Sequence, residues 1–260
     1  MNRLSTSARG RTGWVLVLTA LLLSGVVTMA LTANSWKHDF RVLRVRTQGN
    51  SIVADSDIVR TAAVLKNVKL FDVDLNVTRL RVQQNPFMKS VSVAREIPDG
   101  IAITVTERRP VAALALERVL FLDAEGYVLP PVRSGKVFDL PVLTGELPAA
   151  DCLPGKQIRS RRLLDALEIL TTAERIGDDL YHRISEIHCA GDSTYVLFTA
   201  ESGVPVVFGR GDIALKLLKL DGFWKQIVVQ RGAAHLKTVD LRFADQVVVR
   251  WDEEQEGQAR

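Results

Sequence analysis

An α+β fold hung from a single N-terminal membrane helix is what this sequence predicts, and three observations carry the prediction. Thr12 to Trp36 is a run of 25 residues without a charge, bounded by Arg11 and Lys37. Residues 40–109 then alternate between period-two and helical spacing in the order β-α-α-β-β. From Pro110 onward short alternating runs dominate, broken by two helical stretches and a Pro/Gly-rich connection, which reads as a mostly antiparallel sheet with helices over it.

Taken in order, the apolar heart of the first run is Trp14 to Leu31, with Trp14 and Trp36 where interfacial aromatics belong. About 20 helical residues cross a bilayer core, so residues 13–36 are long enough to span it. The rival is a cleavable signal peptide, with Thr28-Met29-Ala30 as its site, but the apolar run is longer than a signal requires. Residues 1–12 are then a short tail and everything after Lys37 lies on one side. Orientation stays open, because Arg3, Arg9 and Arg11 face Lys37, Arg41, Arg44 and Arg46 across the helix.

In 37–109, Phe40, Val42 and Val45 alternate as a strand that ends at Gly49-Asn50. Asp55 stands as an N-cap before Ile58, Ala62 and Leu65 at helical spacing. A second helix, Leu75 to Gln84, presents Leu75, Leu80 and Val82 and stops at Asn85-Pro86. Strands 90–95 and 101–107 follow, joined by a Pro98-Asp99-Gly100 turn. In 110–251 the expected strands are 111–116, 119–122, 184–189, 195–200, 204–208, 237–243 and 246–251. One helix runs from Ser160 to Ile176 with Leu163, Leu164, Leu167 and Leu170 on one side, and another starts near Asp212 with Ile213, Leu217, Leu220, Trp224 and Ile227 inward. Pro130 to Pro154 reads as connection, and 252–260 as a disordered tail.

Composition and motifs exclude more chemistry than they suggest. The chain is 47% hydrophobic and 25% charged, a globular balance. Three arginines in the first 12 residues supply most of the net +4, so no basic footprint for nucleic acid remains. Two cysteines, Cys152 and Cys189, are too few for a disulfide framework; they could pair in an oxidising compartment, but read as two buried free thiols. His182 and His188 are too widely spaced, with too few companions, for zinc, and no metal or cofactor is expected. Gly191-Asp192-Ser193 is a turn, not a nucleophile elbow, and Asn76-Val77-Thr78 is a coincidental sequon.

Gly209-Arg210-Gly211-Asp212-Ile213-Ala214 fits G-x-G-x-x-A, a dinucleotide pattern. A surrounding pattern of antiparallel strands argues instead for a strand–helix turn capped by Asp212. Asp165/Glu168 and Asp178/Asp179 read as helix-surface and helix-end charges. An anchor, two domains and no site read as a binding protein.

The order of parts, with FRVLRVRTQGN (40–50), LFDVDL (70–75), Asn85-Pro86-Phe87, SVSVAREIPDGIAITVTERRPVA (90–112), Asp123-Ala124-Glu125-Gly126, LPVLTG (140–145), Gly209-Arg210 and Val239-Asp240-Leu241-Arg242, resembles the bacterial FtsQ/DivIB cell-division family. The resemblance implies that 37–109 is a POTRA domain and 110–251 the family's β domain. It implies a non-enzymatic inner-membrane scaffold at the division septum, with a cytoplasmic N-terminus and its bulk periplasmic or extracytoplasmic. The partners it implies are FtsB and FtsL and, through them, the septal synthase FtsW–FtsI.

It places FtsB on the last strand, Gln246, Val247, Val248, Val249 and Trp251, with Arg210 in the family's contact region; Arg242, Phe243 and Trp251 are the expected anchors, since aromatics and Arg are enriched at interfaces. Phe243 stands where the family often carries Tyr, so a hydroxyl-dependent contact is absent, and the Pro/Gln-rich C-terminal tail of some members is absent too. Two other functions stay open on the residues alone: a POTRA-type adaptor for polypeptides, and a membrane-tethered hydrolase whose site forms only in three dimensions.

Overall fold

The computed structural model describes residues 8–37, 40–132, 135–190 and 194–252. Most of the expected basic tail, the Gly191-Asp192-Ser193 turn and nearly all of the expected C-terminal tail lie outside them. The contacts divide the chain into two compact units. One comprises residues up to Gln48, Asp55–Val82 and Val91–Thr104; the other comprises Gly49–Ala54, Gln83–Ser90 and the chain from Val105 on.

The first helix, α1, spans Ala8–Lys37. Its described side chains, Trp14 to Ala30, are exposed all round, and the Thr19 and Thr28 hydroxyls donate to carbonyls one turn back, Val15 O at 3.0 Å and Ser24 O at 2.8 Å. Among the described residues no helix is long and apolar enough to cross a membrane.

Next come β1 (Arg44–Gln48), α2 (Asp55–Ala62), α3 (Leu75–Gln83), β2 (Met88–Glu96) and β3 (Gly100–Glu107), the expected β-α-α-β-β order. The sheet order is β1-β3-β2, with β1 parallel to β3 and Arg44 opposite Gly100. Val42, Ile58, Ala62, Leu70, Ile101 and Ile103 form the first unit's core. The Arg95 guanidinium donates to the carbonyls of Leu70, Phe71 and Val73 at 2.7–3.1 Å, closing the connection between the helices.

Two expectations fail here. Leu65 lies beyond α2, which ends where Ala63 takes a positive φ of 50°, and it is exposed. Leu80 points outward, because Thr78 and Val82 occupy the inward face of α3.

The second unit is built on β4 (Pro110–Ala115), β5 (Val119–Asp123), β6 (Val128–Leu129), β7 (Val142–Gly145), β8 (Ile184–Ala190), β9 (Thr194–Thr199), β10 (Pro205–Val207), β11 (Leu236–Asp240) and β12 (Val248–Trp251). They form one sheet in the order β12-β11-β10-β9-β8-β7-β4-β5-β6. Covering it are α4 (Arg161–Ile176), the short α5 (Asp178–Arg183) and α6 (Ile213–Phe223). The core runs from Val111 and Leu114 through Leu143, Leu163, Ile187 and Leu197 to Trp224 and Val239.

The sheet is mostly antiparallel, as expected, with three parallel pairings among the eight that its described residues form. β7, hidden in what read as a connection, sits inside it and pairs parallel with both β4 and β8. β10 and β11 are also parallel, because α6 carries the chain back across the sheet between them. After Phe223 the helix passes through a π-turn, Trp224–Val228. The extra residue shifts the phase by one, so Val228 is buried where Ile227 was expected, and Ile227 is exposed. Leu164 is likewise at the edge of its buried stripe, where Ala166 and Ile169 complete the contact instead.

The Glu107-Arg108 pair explains why its motif is so recognisable. Glu107 accepts from the backbone N–H of Ser51 and Ile52 at 2.7 Å and of Val53 at 2.8 Å, satisfying three donors at once. The turn before them needs Gly49, since a Cβ there would lie 2.1 Å from Val105 O at a φ of +86°. Arg108 donates to Asp123 at 2.6 Å and Glu125 at 2.8 Å, and lies 3.5 Å over the Tyr127 ring.

Both cysteines are free and buried. Burial pushes the Cys189 thiol up to about 11 and the Tyr181 and Tyr195 hydroxyls up to about 12. The native state therefore holds protons that the unfolded chain releases near the ordinary values. The associated stability is complete below roughly pH 9 and falls as pH rises towards the folded values. Melting temperatures measured from about pH 9 upward should decline, and less steeply for Cys189→Ala than for the parent. Neither thiol should react with Ellman's reagent until the protein unfolds.

Candidate partner interface

β12 is the outermost strand of the nine-stranded sheet. It pairs antiparallel with β11, with Asp240 opposite Val248, Val239 opposite Val249 and Thr238 opposite Arg250, and a bulge follows towards Leu236 and Trp251. No strand covers its other side among the described residues, so that side offers the unpaired N–H and C=O groups of a sheet edge. The pleat divides its side chains. Val249 and Trp251 pack against the core, with Arg231 5.0 Å over the Trp251 ring, while Val248 and Arg250 face outward.

The sequence places Arg242 and Phe243 in a strand and Gln246 and Val247 in the next; all four lie in the turn between β11 and β12. The cause is local. Asp240 accepts from the Arg242 backbone N–H at 3.0 Å and from its guanidinium at 2.6–3.1 Å, an Asx-type closure that ends β11. The Arg242 guanidinium in turn holds the Asp240 carboxyl below its ordinary range. The turn is tied to α6, where the Lys219 ammonium donates to Ala244 O. Phe243 is left 46% exposed at its tip.

Arg210 belongs to the neighbouring strand–helix turn, Gly209–Asp212. A Cβ at Gly209 would lie 2.8 Å from Arg242 Cγ, so this glycine makes room for the Arg242 side chain. The parallel β10–α6–β11 unit removes one objection to a dinucleotide reading, but the turn supplies another. Its carbonyls face a buried cation: Lys216 donates to Phe208 O at 3.0 Å and to Arg210 O at 2.5 Å. Burial pulls that ammonium below its ordinary value. Asp212 holds the N-cap position in the left-handed region with no side-chain cap bond, contrary to expectation, because the turn's backbone and Lys216 already fix the helix start.

An open cavity of about 840 Å³ lies between this turn and α4. Arg161, Arg175 and Arg210 line it together with Asp165, Glu168 and Asp212, an even mixture of signs. Asp165 is held by Arg161 at 2.7 Å and accepts from the Tyr195 hydroxyl at 3.3 Å. Among the described residues no group of His, Cys, Asp and Glu is arranged to hold a metal; His188 pairs with Thr144 at 2.9 Å instead.

Sequence reasoning missed Lys216 and Lys219, which hold the two turns of this surface. Their signal was present: Lys216 adjoins Leu217 on a helix whose neighbouring positions are apolar, where a charge must find partners.

The sequence matches the family "POTRA domain, FtsQ-type" over residues 40–108 and the family "Cell division protein FtsQ/DivIB, C-terminal" over residues 113–242. The second match stops at Arg242, before β12. Cell division protein FtsQ of Rhodothermus marinus is 35% identical over 244 residues, covering 90% of this chain and 86% of that protein. The protein of the same name from Geobacter sp. is 32% identical, over 76% of this chain and 71% of its own length. That of Salinibacter ruber is 29% identical, over 96% and 98%.

Proposed function

Because this chain belongs to the FtsQ/DivIB family of cell division proteins, we propose that it is a non-enzymatic scaffold of the division complex that captures an extended segment of FtsB on the open edge of β12. FtsL comes with FtsB, and the three together link early division proteins to the septal synthase FtsW–FtsI. The residues assigned to the contact are Arg242, Phe243, Gln246, Val247, Val248, Val249 and Trp251, with Arg210 beside them. α1 is the single inner-membrane anchor at the septum, with the N-terminus cytoplasmic and residues 37–251 outside the cytoplasm. Residues 37–109 act as the POTRA domain and 110–251 as the family's β domain.

The observation that carries the reading is the position of β12, an edge strand flanked by an exposed aromatic. Strand addition there forms new main-chain hydrogen bonds, each contributing about 0.5–1.5 kcal/mol, with pockets for alternate side chains. The anchor is supported by a helix that is apolar on every face, the pattern of a membrane span rather than of a half-buried surface helix.

The full chain, titrated in detergent with the C-terminal segment of the cognate FtsB, should bind at about micromolar affinity or better. Hydrogen exchange should then slow at Val248–Trp251. Absence of binding, or protection confined to other strands, would remove β12 as the site.

A further inference from the structure

We propose that the end of the first unit where the chain arrives from α1 is a lipid-contact surface that rests on the anionic headgroups of the bilayer holding that helix. This rests on the reading of α1 as an anchor. The tether is short: α1 ends at Lys37, and Val42 is already fully buried, its N–H donating to Val68 O at 2.9 Å. The five Cα steps from Lys37 to Val42 reach at most about 18 Å. The headgroup layer adds roughly 5–7 Å to each side of the hydrocarbon core. This end of the unit cannot stand far from the membrane.

Three chain segments meet there. Leu43 N and Arg44 N both donate to Asp99 O, which sets the β2–β3 hairpin tip beside the start of β1. Asn67 N donates to Val42 O, and the Arg41 guanidinium donates to Asn67 O at 2.7 Å, which brings the loop after α2 to the same place. Each segment presents one large apolar side chain to solvent: Leu43 at 55% exposure, Leu65 at 70% and Ile97 at 67%. One exposed leucine is ordinary, but three at one end, from three segments, form a set of pegs.

Basic residues surround them. Segments 37–46, 63–69 and 96–99 contain six Lys or Arg against three Asp or Glu. Arg44 is paired with Asp99 at 2.5 Å, whereas Arg41, Lys66 and Lys69 have no acidic partner among the described residues. Apolar tips within a basic rim are what an anionic headgroup layer accepts, the tips entering the acyl boundary and the cations meeting phosphate. The same arrangement gives a purpose to the basic flank that left the charge count across α1 near a tie.

The test uses the full chain in nanodiscs of phosphatidylcholine with phosphatidylglycerol, carrying a headgroup nitroxide lipid. Leu65→Cys is labelled with a polarity-sensitive dye, the native thiols being buried, and a label at Glu201→Cys in the second unit serves as control. The Leu65 dye should shift to the blue and be quenched by the lipid nitroxide. The Glu201 dye should do neither. Quenching should fall sharply in Lys66→Glu/Lys69→Glu, a pair with no packing role, and on raising salt from about 0.1 M to 1 M, where the screening length drops from roughly 10 to 3 Å. A chain that stays in the disc through alkaline washing while its Leu65 dye remains in water overturns the surface and leaves the anchor standing. Equal quenching of both dyes overturns the assignment to this end. A chain that washes off the disc overturns the anchor itself, and the surface with it.

Discussion

Phe243→Ala is expected to weaken capture of the FtsB segment by about 30-fold or more, the effect of losing an aromatic hot spot of roughly 2 kcal/mol. Stability should be almost untouched, because Phe243 sits on a turn with nearly half its surface in water, and substitutions of that kind stay within about 0.5 kcal/mol. Trp251→Ala should lose capture too, but for a mixed reason. Its ring packs against the core beneath Arg231, so the variant should also lose about 2 kcal/mol of stability. Calorimetric titration beside thermal melts separates the two. Loss of melting temperature in both variants to the same extent would make Phe243 a packing residue and remove it from the interface.

The second large effect concerns the joint at residues 107 and 108. Arg108→Ala should destabilise the second unit by about 3–5 kcal/mol, since it strands the buried Asp123 carboxylate without its cation. For a domain of this size that is on the order of a 10 °C fall in melting temperature. Asp123 still accepts from the Glu125 and Tyr127 backbone N–H groups at 3.0 and 2.7 Å, so Arg108→Ala/Asp123→Asn should recover part of the loss. A single variant that melts with the parent would mean that the pair contributes nothing net.

Much of this was legible because local rules and global fold agree. The helix over Arg161–Ile176 and the hairpin around Pro98-Asp99-Gly100 follow from spacing and turn chemistry, and β1, α2 and α3 begin within a few residues of where the pattern puts them. β7 was not legible. A four-residue strand that follows Pro141 and ends on Gly145, set between two parallel neighbours, has no room to show alternation. The π-turn after Phe223 was hidden for a different reason: a single extra residue leaves the apolar composition intact and changes only its phase. At the candidate site the strand edge could be anticipated. Lys216 was legible only as a charge at an otherwise apolar helix position; which carbonyls it and Lys219 meet, those of Phe208 and Arg210 for one and of Ala244 for the other, is decided only by the folded chain.

The way the two units interleave has a practical side for anyone dissecting the protein. The unit that carries β12 also contains Gly49–Ala54 and Gln83–Ser90, and its Glu107 carboxylate closes on the backbone of residues 51–53. A gene fragment opening at Pro110 would discard that carboxylate, its three donors and Arg108 in one cut. Such a fragment is a poor surrogate for the whole: a negative pull-down with it would report damage at the cut and say little about the strand edge at the opposite side of the sheet. Fragments meant to isolate the β12 edge should begin upstream of β1.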